Sequence, residues 1–285
     1  MHEKTVLQCP VCHTPLFQEA TRYACDNQHH FDIAGAGYVN LLLPRDTGKG
    51  TPGDTIPMLQ SRKAFLQRGY YAPFSDRLNA IVATELQAIP PRSEVNILDA
   101  GCGEGYYTWR LRDTLVSRLP DIPVYLYGID VAKRAIQYAA KRGNGIRFAV
   151  ASSFHLPFLP GSLDCLVCLF APRKDAEFAR VLNTHGALIV AAPGPRHLFQ
   201  LREFMYAQPE DLGPKGTVTD GFHLIESIPV TFDIHITNTA DLLDLVNMTP
   251  YSRHIDAPTR ERLETINELT TEVDIHIMVY RKTEQ

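Results

Sequence analysis

The run Asn96-Ile97-Leu98-Asp99-Ala100-Gly101-Cys102-Gly103-Glu104-Gly105 constrains this chain more than any other stretch. Apolar residues lead into an acidic one, and three glycines then alternate with other residues. The pattern predicts a strand that ends in a tight turn and opens a helix. Glycine allows positive φ and a close approach of the backbone to a ligand. A helix start offers unpaired N–H groups. At the end of a first parallel strand, such a turn is a nucleotide-cofactor site. Its G-x-G-x-G spacing differs from the G-x-G-x-x-G of dinucleotide enzymes. A bare strand–turn–helix corner is the competing reading, but a corner seldom needs three glycines so close together.

The surrounding pattern alternates strand and helix. Strands are expected at 96–100, 124–130, 146–151, 163–170 and 187–192. Helices are expected at 104–118, at 132–142, near 174–182 and from about His197. Repeated β-α-β units indicate a parallel sheet with helices on both faces. Two helices precede them, Met58–Leu66 and Phe74–Ile89, separated by Gly69-Tyr70-Tyr71-Ala72-Pro73 and ended by Pro90-Pro91. Residues 45–57 are turn-rich and polar, and read as a mobile loop. After the alternation come a strand region at 222–236, a helix at 257–270 and an alternating strand at 273–280. That last strand is expected to close the sheet as a late edge.

The 285 residues suffice for one large domain plus a small module. With 45% hydrophobic and 21% charged residues the composition is that of an ordinary globular protein. No apolar run reaches the ~18 residues of a membrane span. The polar start Met1-His2-Glu3-Lys4 lacks a signal-peptide core, so a cytoplasmic location is expected. A net charge of −4 argues against a uniformly basic nucleic-acid coat. Residues 41–80 still carry six cationic against three acidic side chains, a locally basic segment or simply a solvated helix face.

Cysteines are crowded at one end. Cys9, Cys12, Cys25 and His29 make C-x2-C-x12-C-x3-H. Two close pairs of thiolate and imidazole ligands suit tetrahedral zinc, and thiolates disfavour magnesium or calcium. A segment of this size has too little core to hold itself, so a metal staple is expected. His30 and His13 compete for the fourth place, and the C-x3-H spacing favours His29. A full Cys3His set reads as structural zinc, one per chain. The alternative is a group of small buried cysteines.

Further candidates sit where strands end. Asp130 closes the second strand, where an acidic residue accepts both ribose hydroxyls. It also precedes a helix and would cap it. Pro193-Gly194-Pro195-Arg196-His197-Leu198 follows the fifth strand, and its prolines fix the loop. Arg196 suits a phosphate or carboxylate.

Asp99-x-Gly101-x-Gly103-x-Gly105 looks like the first motif of S-adenosylmethionine-dependent methyltransferases. The whole chain resembles the bacterial 23S ribosomal RNA (guanine-N(1))-methyltransferases. The resemblance rests on the Cys9–His29 knuckle, Phe31-Asp32…Gly37-Tyr38-Val39-Asn40-Leu41-Leu42, Pro52-Gly53-Asp54, Leu98–Thr108, Ala151-Ser152-Ser153 and Pro193–Leu198. It implies an α/β fold, a Rossmann-like class I methyltransferase sheet with a small N-terminal zinc-binding module. Residues 1–40 would be the module, 41–90 a linker with helices leading into the core, and 91–285 the methyltransferase domain. It also implies S-adenosylmethionine as cofactor, methyl transfer to N1 of a guanine in a 23S rRNA hairpin, a zinc module that helps hold RNA, and a homodimer. Tyr71, Gly103, Glu104 and His197 match the residues that meet the cofactor in such proteins. With Asp99, Gly101, Asp130 and Ser152 they form the expected cofactor set. Ser152 stands near the adenine, where methyltransferases often carry an acid. Phe170 and Pro172 would stack on or wall the acceptor base, Phe170 being equally suited to core packing. Asp54 is the candidate base for the guanine N1 proton, or a simple turn former. Asn183-Thr184-His185-Gly186 replaces the usual lysine-proline-glycine-glycine turn. A small-molecule methyltransferase and a non-catalytic RNA-binding protein of the same fold are the rival readings.

Overall fold

The first forty residues contribute to two sheets. The computed structural model describes residues 3–46, 53–90, 92–143, 145–206, 221–253 and 255–283. Strands β1 (Glu3–Gln8), β2 (Pro15–Gln18), β3 (Arg22–Ala24) and β4 (His30–Asp32) form an antiparallel four-stranded sheet around the cysteines. β5 (Tyr38–Asn40) instead joins the large sheet, parallel to residues 148–150. The expected loop at 45–57 lies partly outside the described residues, as do Pro52 and Pro91.

Helix α1 (Ile56–Gln67) begins where the Thr55 hydroxyl accepts the Met58 N–H, which satisfies one orphan donor of the first turn. α2 (Ala72–Ala88) follows Gly69, whose φ is +84°. Then come β6 (Val95–Ala100), α3 (Tyr106–Arg118), β7 (Val124–Asp130), α4 (Lys133–Ala140) and β8 (Arg147–Val150). β9 (Leu163–Leu169), α5 (Asp175–Val181), β10 (Leu182–Pro193) and α6 (Phe199–Met205) complete the alternation. β11 (Phe222–Ile236), α7 (Thr239–Met248), α8 (Ala257–Glu264) and β12 (Leu269–Lys282) form the tail.

The large sheet runs β11-β12-β10-β9-β6-β7-β8-β5. From β10 to β5 the pairs are parallel, whereas β12 is antiparallel to β10 and β11 to β12. This is the Rossmann-like class I methyltransferase architecture. The late strand is not at the edge: β12 lies inside, and the longer β11 takes the edge position. The expected helix at 257–270 stops at Glu264, because β12 already begins at Leu269. Helix α7 was not legible as a helix in the sequence. Asn238 caps it by accepting the Asp241 N–H at 2.8 Å. Arg68, the C-cap of α1, ties it down through Asp241 at 2.9 Å and Asp244 at 3.0 Å.

The chain runs from β6 outward through β7 and β8, then returns to the other side of β6 as β9. That reversal makes a crevice outside the carboxyl ends of β6 and β9, where open α/β sheets bind ligands. Alternation along the buried strand β6 serves two cores. Ile97 packs with the α2 and α3 residues Leu78 and Leu111, while Leu98 and Ala100 pack with Phe178 of α5 and with Leu7 and Leu16 of the small sheet. The zinc module therefore shares a core with the second sheet face. β1 also bonds directly to the main fold, with Gln8 N–H donating to Pro157 O and Leu159 N–H to Val6 O, both at 2.9 Å.

Candidate active site and metal centre

The turn after β6 is pinned from both sides. Gly101 has φ +84°, and a Cβ there would lie 2.5 Å from the Ala171 Cβ beyond β9. Gly105 has φ +81°, with the Ala139 Cβ of α4 only 2.8 Å from its own virtual Cβ. A side chain at either position would be strained and would collide. The N–H groups of Gly101 and Cys102 both donate to Ile129 O, at 2.8 and 2.9 Å, which locks the turn to β7.

Asp99 is almost fully buried at the end of β6. Its Oδ2 accepts from Thr108 Oγ1 at 2.6 Å, and its Oδ1 is buried without a partner among the described residues. Burial pushes the carboxyl up to about 7 against the Thr108 bond, since a desolvated carboxylate disfavours charge. An orphaned carboxylate oxygen beside a glycine turn calls for a donor, best a cationic one. The ammonium of the amino-acid end of S-adenosylmethionine has that chemistry, so the residues present fit this cofactor.

Asp130 stitches the crevice together. Its Oδ2 accepts the Gly103 N–H at 3.0 Å and its Oδ1 the Ala132 N–H at 2.8 Å. The expected capping role therefore takes a different form, because Ala132 is the N-cap of α4 and Asp130 supports it from two residues before. Each carboxylate oxygen keeps a second lone pair for a ribose hydroxyl. Burial raises this carboxyl as well. Glu104 is buried beneath the turn, and its carboxylate is ion-paired with Arg142, whose Nε also donates to Glu104 O at 2.9 Å. Ser152 lies just past β8, where its Oγ accepts the Phe154 N–H at 3.2 Å.

Tyr71, at the N-cap of α2, meets His197 from the loop after β10. Tyr71 Oη and His197 Nε2 are 3.4 Å apart. His197 Nδ1 accepts the Asp274 N–H at 3.3 Å, which assigns the ring proton to Nε2 and makes it the donor toward Tyr71. Burial holds His197 down to about 4, so the ring is neutral at physiological pH. Buried Arg202 clamps the loop, donating from Nε to His197 O at 3.0 Å and from Nη2 to Pro195 O at 2.7 Å. Arg196 is turned to Glu272, 2.8 Å away. Phe170 follows β9 with φ +54° and is 45% exposed, although its ring lies 5.7 Å from that of Phe74. Positive φ in a bulky residue is uncommon, and here the ring is left half in the open. Asp54 forms an ion pair with Arg62 of α1.

The four metal candidates converge. The Sγ atoms of Cys9, Cys12 and Cys25 and a ring nitrogen of His29 lie within 4.8 Å of one another. Cys12 and Cys25 Sγ are 3.7 Å apart, and His29 Nδ1 is 3.5 Å from Cys25 Sγ. Donors about 2.0–2.3 Å from a tetrahedral zinc have separations of this size. His30 is exposed outside the cluster, so the adjacent-histidine ambiguity resolves to His29. Three thiolates and one imidazole fill a zinc coordination sphere and leave no open position, a structural site.

Sequence reasoning missed Thr108, Arg142, Arg202, Asp274 and Arg62. Thr108 follows the glycines by one helical turn, the single local signal among them. Arg142 and Asp274 reach Glu104 and His197 across 38 and 77 residues, while Arg202 and Arg62 meet nearer partners, five to eight residues away, that no spacing rule reveals.

A zinc-ribbon family model described as "RlmA, N-terminal" matches residues 7–46. A second, described as "Methyltransferase domain", matches residues 97–186. A Micromonospora griseorubida protein named "Putative 23S rRNA (guanine-N(1)-)-methyltransferase" is 32% identical over 299 residues, spanning 96% of this chain and 97% of its own length. The "23S rRNA (guanine(748)-N(1))-methyltransferase" of Streptomyces fradiae is 34% identical over 68% of this chain and 66% of its own. A Bacillus subtilis relative with a 23S rRNA (guanine-N(1)-)-methyltransferase name is 28% identical over 71% of this chain and 69% of its own.

Proposed function

This chain belongs to the 23S rRNA (guanine-N(1))-methyltransferase family, and we propose that it methylates N1 of a guanine in a hairpin of 23S ribosomal RNA. The observation that carries the reading is the identity sustained across both the zinc ribbon and the methyltransferase domain. When bound, S-adenosylmethionine supplies a methyl group already activated on a sulfonium. What remains for the protein is chiefly orientation.

Asp99 takes the ammonium of the cofactor, Asp130 and the turn at Gly101 and Gly103 take its ribose, and Ser152 stands at the adenine end. The Tyr71–His197 pair borders the methionine part. Glu104 holds the turn from below through Arg142. Phe170 stacks on the target base, which leaves its own stack to reach the crevice. Aromatic stacking is a common way to read unpaired RNA bases. Asp54 already engages Arg62, so its part is a matter of charge and position. The zinc ribbon, fused beside the crevice, helps hold the RNA.

The chain works in the cytoplasm as a homodimer, as its family resemblance implies. Among the described residues, no helix is long and apolar enough to cross a membrane. An exposed edge strand, with Leu224 and Ile225 each more than half exposed on β11, is an apolar surface of the kind a second copy covers. Sedimentation analysis tests the dimer.

Labelled methyl transfer into 23S rRNA lacking the modification, followed by mass-spectrometric mapping, tests the reaction. Incorporation at guanine N1 supports it. Transfer to small acceptors with none to RNA establishes the small-molecule reading instead.

A further inference from the structure

α1 places Arg62 over the glycine turn. A Cβ built on Gly103 would lie 3.6 Å from Arg62 Nη1, and no other described group beyond its chain neighbours comes within 4 Å of that point. The open side of the turn thus faces one guanidinium. Two contacts aim it. Nη1 pairs with Asp54, and Nη2 donates to Met248 O at the end of α7, 3.2 Å away. A guanidinium has five N–H donors, so three remain for a ligand among the described residues. The side chain is 28% exposed, reachable from solvent yet partly desolvated. Its negative counterpart is already in the site, in the orphaned Oδ1 of Asp99. A crevice with one cationic fork and one unpartnered carboxylate oxygen complements a zwitterion.

We propose that Arg62 is a cofactor-binding residue that grips the α-carboxylate at the amino-acid end of S-adenosylmethionine, with Asp54 keeping the guanidinium aimed at the turn. The proposal rests on the cofactor reading above and adds a residue to it. The planar fork of arginine matches a carboxylate in two parallel bonds, which a lysine ammonium cannot reproduce. Asp54 holds the fork while leaving N–H groups on its ligand side.

Calorimetric titration of the full-length, zinc-loaded protein tests this with two ligands. S-adenosylhomocysteine carries the amino-acid group, and 5′-methylthioadenosine has the same adenosine and thioether without it. Arg62→Met is expected to weaken S-adenosylhomocysteine roughly ten- to a hundredfold, the range for a lost charged hydrogen bond, and to leave 5′-methylthioadenosine unchanged. Arg62→Lys, which keeps the charge and loses the fork, is expected to fall between wild type and Arg62→Met for S-adenosylhomocysteine alone. Equal losses for both ligands in Arg62→Met, or no loss for either, overturn the proposal. Equal losses would mark a purely structural arginine, and no loss an arginine reserved for another anion such as an RNA phosphate. A wild-type protein that binds neither ligand overturns the cofactor reading together with this one. Wild-type binding with an indifferent Arg62→Met overturns this one alone.

Discussion

Asp99 carries the sharpest consequence of any single residue. Its carboxyl, raised from 3.8 to about 7 by burial, holds its proton more tightly in the folded than in the unfolded chain. Between roughly those two values the folded state binds more protons, so its stability falls as pH rises. Above about 7 the full cost applies, on the order of 4 kcal/mol for such a shift. Asp99→Asn removes the charge. The ligand-free variant is expected to gain in melting temperature over wild type as pH goes from 5 to 8, while losing affinity for S-adenosylhomocysteine. A gap that stays flat with pH would show that Asp99 does not ionise as described. Asp99 and the three glycines were readable from spacing alone, because the turn is local. The missing partner on Oδ1 was not, since only packing decides which lone pairs find donors.

At the scale of elements, the loop from Pro193 to Leu198 depends on two neighbours. β12 supplies the Asp274 N–H to His197 Nδ1, and α6 supplies Arg202 to the carbonyls of Pro195 and His197. Arg202→Met keeps much of the apolar stem and deprives two carbonyls of a charged donor. A loss of about 1–3 kcal/mol in urea unfolding is expected, because the buried His197 carbonyl left unpaired is costly, whereas the Pro195 carbonyl lies on an exposed residue. Binding of S-adenosylhomocysteine should weaken as His197 loses its setting. Wild-type unfolding in Arg202→Met would mean that β12 and the prolines hold the loop without Arg202. The sequence marked this loop through its prolines and its place after a strand. It assigned no role to β12 beyond closing the sheet, because a strand's neighbours are set by pairing across the fold. The same limit hid α7, whose cap at Asn238 is local but whose anchor is Arg68 at the C-terminal end of α1.

For the whole molecule, the zinc ribbon and the methyltransferase sheet behave as one body. Leu7 and Leu16 share a core with Leu98, Phe158 and Phe178, and burying each such side chain contributes about 1.5–3 kcal/mol. Zinc binding stabilises whichever state holds its ligands. Chelation, or Cys12→Ser, is therefore expected to lower the main thermal transition instead of releasing a separate low-temperature one. Calorimetry distinguishes the two, and an unchanged main transition would show that the ribbon melts alone. The sequence by itself determined the nucleotide-like class of the cofactor, the cysteine part of the metal knuckle and the β-α-β alternation. Each is written in short-range spacing, as glycines two apart, cysteines three apart and apolar periods of two or 3.6. Tertiary structure alone decided that β5 leaves the ribbon for the large sheet, that β12 lies inside it, that the ribbon covers its second face, and that Arg62 overhangs Gly103. Those are matters of which surfaces meet, and contacts between distant segments form only when the whole chain closes on its core.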